Sequence, residues 1–123
     1  MREALVARVG ACMMCSARPV KGSDWPGHRL CVHEIANGPL RQKCLDHLPS
    51  ILVLCWSCNG GPANDASDWP EARQLALIKV LDPERYDLKA HNALVNPRAP
   101  LRITEKEVDH YADALRMGGW GRR

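Results

Sequence analysis

Four cysteines form two pairs with the spacing Cys-x-x-Cys, Cys12 with Cys15 and Cys55 with Cys58. A turn of this kind places two thiolates on one side of a short loop, and two such turns provide four sulfur ligands for a tetrahedral zinc site. Because four protein ligands leave no open coordination position, the expected zinc is structural rather than catalytic. Two disulfides or a redox dithiol are the alternatives, although a disulfide within either turn would be strained. The spacing therefore predicts one shared structural Zn²⁺.

Polar side chains that could act on a substrate lie between these pairs and directly after the second one. His33 and Glu34 stand near the end of a predicted strand, Ser50 precedes a second one, and Asn59 directly follows the second cysteine pair. A neutral imidazole is a good general base at neutral pH, and imidazole, carboxylate and amide groups can all bind a divalent cation. Each side chain also has a simpler interpretation, as a hydrogen-bond donor to the backbone, a solvated strand residue or a turn cap.

Three basic residues and two further cysteines accompany this set. Arg29, Arg41 and Lys43 flank the predicted strands, where they could bind phosphate groups or remain solvated. Cys31 and Cys44 lie outside the two pairs, and we expect them to be small buried apolar side chains.

Two short strands must position the polar residues. The segment 30–35 mixes β-branched and apolar residues with two polar ones, which indicates a strand. The four apolar residues 51–54 lead directly into the second cysteine pair, and a run this short favours a buried strand over a helix. A short helix or an irregular lead-in is expected before the first pair.

The carboxy-terminal half contains the signals of amphipathic helices. One helix is predicted over 72–81 with Asp68 as its N-cap, and the last begins at a capping box formed by Thr104 and Glu107. A shorter helical segment is expected between them. The apolar faces that we expect to be buried are Leu75, Ile78 and Leu81 on the first helix, and Val108, Tyr111, Ala112 and Leu115 on the last.

Length and composition favour one small domain over 1–123. Its 123 residues include no Phe and only 5% aromatic residues, so a metal would help to stabilise a modest core. The net charge of +3 permits contact with nucleic acid without requiring it. Because six cysteines accompany no apolar run of membrane-spanning length and no hydrophobic signal block, we expect a reducing, cytoplasmic location without membrane contact.

The order of a cysteine pair, a strand ending in His33-Glu34, a second strand, a cysteine pair and a polar residue resembles the HNH endonuclease family. The resemblance covers about 12–65. It implies an α+β fold in which a zinc-stapled ββα-metal hairpin core (10–65) carries two or three additional helices (66–117), followed by a loose tail (118–123). It also places His33 at the position of a metal ligand and Glu34 at that of the general base, although a shift by one residue would make His33 the base.

Two further positions depart from the family pattern. Ser50 stands where the family has the Asn that braces the base, and Asn59 stands where it has the last metal-binding His, a replacement that the family accepts. The ligands of the catalytic ion would then be His33 and Asn59, and the ion Mg²⁺ or another divalent ion such as Mn²⁺ or Ni²⁺.

The resemblance implies a divalent-metal-dependent DNA endonuclease or nickase that hydrolyses phosphodiester bonds by attack of water. Small free-standing members come from phages or mobile elements. The expected partner is double-stranded DNA, with a homodimer or a larger phage or mobile-element complex as further assemblies. Two alternatives stay open, the first because Glu34 and Ser50 replace the usual residues and the second because the helical half could serve as a docking surface. They are a catalytically lapsed, zinc-containing nucleic-acid-binding module and a zinc-scaffolded protein-interaction domain.

Overall fold

The computed structural model describes residues 2–22, 29–35, 47–59, 66–96 and 102–118. These residues form an α+β fold with one two-stranded sheet, four α-helices and three short 3₁₀ turns. The helices and strands, in chain order, are α1 (Arg2–Val9), β1 (Leu30–Glu34), β2 (Ile51–Cys55), α2 (Glu71–Leu81), α3 (Leu88–Val95) and α4 (Glu105–Arg116). The 3₁₀ turns are Leu48–Ser50, Ala66–Asp68 and Pro83–Arg85. The α+β class and both predicted strands are confirmed.

The two strands pair antiparallel and in a single register. Leu30 lies opposite Cys55, His33 opposite Leu52 and Glu34 opposite Ile51. Every residue of β2 is buried, which explains why its sequence is a continuous apolar run rather than an alternating one. The first four residues of β1, which include His33, are only half-buried, whereas Glu34 at its end is buried.

The first cysteine pair follows α1 in a tight turn that is hydrogen-bonded to β2. The amide of Met13 donates to the carbonyl of Val53 at 2.9 Å, and the amide of Ser16 donates to the carbonyl of Cys12 at 2.8 Å. Ser16 has a φ of 68°, a left-handed conformation that lets the chain turn back after the second cysteine of the pair. These bonds place the first pair beside β2. The segment before the pair is a helix, α1, rather than an irregular lead-in.

The α2 and α4 helices pack against each other and form much of the apolar core. Leu75 and Ile78 are fully buried on α2, as predicted, but Leu81 is 43% exposed because it is the last residue of the helix. On α4 the predicted face is confirmed, with Val108, Ala112 and Leu115 buried and Tyr111 packed at the edge of the core.

The two predicted helix starts have different outcomes. Thr104 and Glu107 form the predicted capping box, in which each side chain bonds the backbone amide of the other at 3.2 Å. The prediction of Asp68 as the N-cap of α2 is wrong. Asp68 ends a separate 3₁₀ turn, and Pro70 occupies the N-cap position without a capping side chain.

A buried ion pair joins the helical half to the strands. The guanidinium of Arg85, which is only 8% exposed, donates to the carbonyls of Leu48 and Ile51, each at 2.6 Å. It also donates to Asp82 at 2.6 Å, and Asp82 accepts two more bonds from Arg8, at 2.9 and 2.7 Å. Burial alone would raise the pKa of Asp82, but the two arginines outweigh it and lower that pKa. The start of β2 is thereby fixed to the turn that follows α2.

None of the helices among the described residues is long and apolar enough to span a membrane.

Candidate functional site

The sulfur atoms of the two cysteine pairs converge. The thiols of Cys12, Cys15, Cys55 and Cys58 all lie within 4.8 Å of one another. The two sulfurs of Cys15 and Cys55 are 3.7 Å apart. Sulfurs bound to one zinc at about 2.3 Å in a tetrahedron are separated by about 3.8 Å, whereas a disulfide bond is only about 2 Å long. The cluster therefore fits a four-cysteine zinc site and not a disulfide between Cys15 and Cys55.

Burial and the neighbouring sulfurs shift the pKa values of three thiols in the cluster. Burial raises the pKa of the Cys12 thiol to about 11. Burial, and then the neighbouring charge of Cys12, raise the pKa of Cys58 as well. Burial would raise the pKa of Cys55 too, but hydrogen bonds from the Cys58 backbone and from neighbouring thiols lower it. A divalent metal ion would allow all four sulfurs to be thiolates at neutral pH, because its charge compensates theirs.

The second cysteine pair and Asn59 belong to one turn that is closed by backbone hydrogen bonds. Cys55 is the last residue of β2, and its carbonyl accepts a hydrogen bond from the amide of Asn59 at 3.1 Å. The carbonyl of Cys58 accepts one from the amide of Ala66 at 2.8 Å. A metal held by the four sulfurs would thus also fix the position of Asn59.

Asn59 and His33, which the resemblance assigns to one site, face each other. The Nδ1 atom of His33 lies 3.1 Å from the Oδ1 atom of Asn59, and both residues are half-buried. The other ring nitrogen, Nε2, lies 3.1 Å from the Oε1 atom of Gln74 on α2. Sequence reasoning missed Gln74. Its only signal is a polar residue directly before the apolar run 75–78.

The two amides that flank His33 are held by further partners. The Nδ2 atom of Asn59 donates to the sulfur of Cys31 at 3.1 Å, and that thiol donates to the carbonyl of Leu54 at 3.3 Å. The Nε2 atom of Gln74 donates to the carbonyl of Trp69 at 2.9 Å. Cys31 is therefore half-buried and hydrogen-bonded on two sides, rather than the fully buried apolar residue that we expected. Burial raises its pKa, which keeps the thiol protonated.

Glu34 occupies a different environment from His33. Successive side chains of a strand point to opposite faces of the sheet, so Glu34 lies on the face opposite to that of His33 and Cys31. Only 6% of Glu34 is exposed. Its role as general base stays a prediction.

Ser50 is fully buried between two histidines. Its hydroxyl lies 2.9 Å from Nδ1 of His47 and 2.7 Å from Nδ1 of His91. Its backbone carbonyl accepts a hydrogen bond from the amide of Ile35 at 2.8 Å, which places Ser50 beside the end of β1. The role of Ser50 in bracing the general base stays a prediction. In the structure its hydroxyl contacts His47 and His91, which are called the histidine pair below.

The histidine pair continues into a buried polar chain that no sequence pattern indicated. His91 is fully buried, and its Nε2 atom lies 3.1 Å from Oε2 of Glu71. Asn96 donates to the same carboxylate oxygen at 2.9 Å. Burial would raise the pKa of Glu71, but the bonds from His91 and Asn96 lower it. The chain joins α2, α3 and the turn before β2, and its members are too far apart in sequence for spacing to reveal them.

Of the three predicted phosphate-binding residues, Arg29 lies exposed beside the start of β1. Arg41 and Lys43 lie outside the described residues, as does Cys44.

Comparisons of the chain with protein-family models, with curated proteins and with solved structures find no match. The fold and the site define a small α+β protein with a four-cysteine cluster that is compatible with zinc. Its function is inferred from the side chains of the site.

Proposed function

We propose that this protein is a divalent-metal-dependent DNA endonuclease or nickase of HNH type, whose ββα-metal hairpin is held by a four-cysteine structural zinc. The observation that supports the proposal most directly is the distance of 3.1 Å between Nδ1 of His33 and Oδ1 of Asn59, next to the cysteine cluster.

This distance suits two ligands of one divalent ion. Ligand atoms about 2.1 Å from an octahedral ion, in adjacent positions, are about 3 Å apart. Both side chains are half-buried, so solvent and a substrate could reach the remaining positions. Amide oxygen suits Mg²⁺, while imidazole suits Mn²⁺, Ni²⁺ or Zn²⁺, and this mixed pair is therefore compatible with several ions.

The chemistry of the two residues fits phosphodiester hydrolysis. A bound divalent ion would supply positive charge to the phosphate as it becomes more anionic and would lower the pKa of a water molecule. Because His33 in its neutral form and Asn59 carry no negative charge, they leave that positive charge available to the phosphate. Glu34 remains the candidate general base and Ser50 its candidate brace, while Arg29 remains a candidate phosphate contact.

Two observations favour a second candidate, a zinc-containing nucleic-acid-binding module without cleavage activity. Glu34 is buried on the face opposite to His33, and the hydroxyl of Ser50 is engaged by His47 and His91. If these contacts persist when DNA binds, the site has two side chains that could bind a divalent ion, His33 and Asn59, but no general base.

A plasmid-cleavage assay tests the proposal. Supercoiled plasmid is incubated with wild type, His33→Ala, Asn59→Ala and Glu34→Gln in the presence of Mg²⁺, Mn²⁺ or Ni²⁺. His110→Ala is the control, because it removes an exposed imidazole on α4 outside the site. We expect wild type and the control to produce nicked or linear DNA, and loss of His33 or Asn59 to slow cutting about 10²-fold or more.

Two results would reject the nuclease proposal. One is the absence of cutting by wild type with any of the three ions, and the other is undiminished cutting by His33→Ala. In the first case, retarded DNA migration at low salt would favour the nucleic-acid-binding module, since such contacts weaken as salt rises. A lack of retardation would favour the zinc-scaffolded protein-interaction domain.

A further inference from the structure

The hydrogen bonds around His33 form a chain whose two ends are backbone carbonyls. At one end the carbonyl of Leu54 accepts from the thiol of Cys31, and at the other the carbonyl of Trp69 accepts from the amide nitrogen of Gln74. Carbonyl oxygens only accept hydrogen bonds, so both ends fix the direction of every donor along the chain. Because the S–H of Cys31 donates a hydrogen bond to the carbonyl of Leu54, its sulfur accepts one from the amide of Asn59.

Both amide oxygens must then point toward the imidazole. Oδ1 of Asn59 faces Nδ1 of His33, and Oε1 of Gln74 faces Nε2, each at 3.1 Å. A neutral imidazole carries only one N–H, so one of these two contacts lacks a proton. The half-buried oxygen of Asn59 can turn to water or to a cation. Gln74 is only 5% exposed, and an unsatisfied acceptor there would be costly.

We infer that Gln74 and Cys31 are positioning residues that prepare His33 and Asn59 to bind a divalent cation. Gln74 selects the His33 tautomer with the proton on Nε2, which leaves the lone pair of Nδ1 directed at the site. Cys31 holds the amide of Asn59 so that its oxygen, rather than its NH₂ group, faces that lone pair. The cation-binding role rests on the proposed function, whereas the tautomer follows from the hydrogen bonds and the burial of Gln74.

The tautomer can be measured directly on the wild-type protein. Long-range ¹H–¹⁵N correlation spectra of the zinc-containing protein, without other added metal and at about pH 8, where an ordinary imidazole is neutral, report which ring nitrogen is protonated. We expect a pyrrole-type shift for Nε2 of His33 and a pyridine-type shift for Nδ1. Protonation of Nδ1, or an even mixture of the two tautomers, would overturn the inference.

Two variants of Gln74 separate its acceptor from its bulk. Gln74→Met keeps the length of the side chain and removes the oxygen, so we expect the tautomer preference of His33 to weaken toward a mixture. Gln74→Glu keeps an oxygen that can accept from Nε2, although it gives up the donor to the carbonyl of Trp69, and the Nε2–H form should therefore persist. An unchanged tautomer in a folded Gln74→Met protein would remove Gln74 from the account. If that variant does not fold, the wild-type and Gln74→Glu spectra decide the point.

Two variants of Cys31 test the orientation of Asn59, with Mn²⁺ binding followed by electron paramagnetic resonance. Cys31→Ala removes the acceptor for the Asn59 amide, and we expect Mn²⁺ affinity to fall about 10-fold or more, as is usual for a residue that orients a ligand. Cys31→Ser keeps both a donor and an acceptor, so its affinity should stay within a few-fold of wild type. Equal affinity in the Cys31→Ala protein would overturn the role of Cys31.

The outcomes separate this inference from the nuclease proposal. An Nε2–H tautomer in a wild-type protein that cuts no DNA would reject the nuclease and leave the assignment of Gln74 intact. An Nδ1–H tautomer in a protein that does cut would reject the positioning role of Gln74 alone.

Discussion

Replacing Arg85 by Met should remove much of the stability of the fold, because the carbonyl of Ile51 and the carboxylate of Asp82 would remain buried. The carbonyls of Leu48 and Ile51 would each lose a bond of 2.6 Å, at a cost of about 1–3 kcal/mol for every acceptor left unsatisfied. The carboxylate of Asp82 would keep its bonds from Arg8 but lose its ion pair with the buried guanidinium of Arg85. Together these losses suggest about 3–5 kcal/mol, the range measured when one partner of a buried pair is removed.

A change of this size is a large part of the 5–15 kcal/mol, roughly, that stabilises a small domain. Urea unfolding with zinc in the buffer, followed by tryptophan fluorescence, measures it. Arg116→Met is the matched control. Its bond to Asp113 lies at the surface, so the free energy of unfolding should change by no more than about 0.5 kcal/mol. Arg85→Lys should recover only part of the loss, because an ammonium group cannot reproduce the planar fork of the guanidinium. A loss of less than about 1 kcal/mol in Arg85→Met would refute this reasoning.

Three further predictions concern stability. The pKa values of Asp82 and Glu71 are lower in the folded protein than in the unfolded chain, where they lie near 4. The stability that these carboxylates contribute is therefore present above about pH 4 and is lost as the pH falls through their folded-state pKa values. The melting temperature of Asp82→Asn should depend less steeply on acid pH than that of wild type. Cys55→Ser should unfold the protein, whereas Cys31→Ser, outside the cluster, should not, as circular dichroism would show. Thr104→Ala should cost about 1 kcal/mol in urea unfolding through loss of the capping box.

Each of these three predictions would be contradicted by one result. An identical pH dependence in Asp82→Asn would show that the ion pair with the arginines contributes no linked stability. A folded, metal-free Cys55→Ser protein would remove the need for a metal. An unchanged unfolding free energy in Thr104→Ala would mean that the amino terminus of α4 is frayed in solution.

The parts of the structure that sequence could predict are local. The two cysteine pairs, both strands and the capping box at Thr104 follow from residues within a few positions of one another, and their outcomes agree with the fold. The approach of His33 to Asn59 was expected from the resemblance to the HNH family, and the structure places Nδ1 of His33 3.1 Å from Oδ1 of Asn59.

The parts that sequence missed depend on contacts between distant elements. Gln74 reaches His33 across 41 positions, and His91 reaches Ser50 across 41. Arg85 reaches Ile51 across 34. A polar residue in an apolar helix gives no indication of its partner before the packing of the helix is known. The exposure of Leu81 was missed because helical periodicity does not show where the covering core ends.

The metal content of the purified protein tests the central claim most directly. Elemental analysis combined with zinc X-ray absorption should return one zinc per chain, surrounded by four sulfurs at about 2.3 Å. A folded protein without zinc, or a zinc with fewer than four sulfur neighbours, would contradict the metal-held frame that brings His33 and Asn59 together.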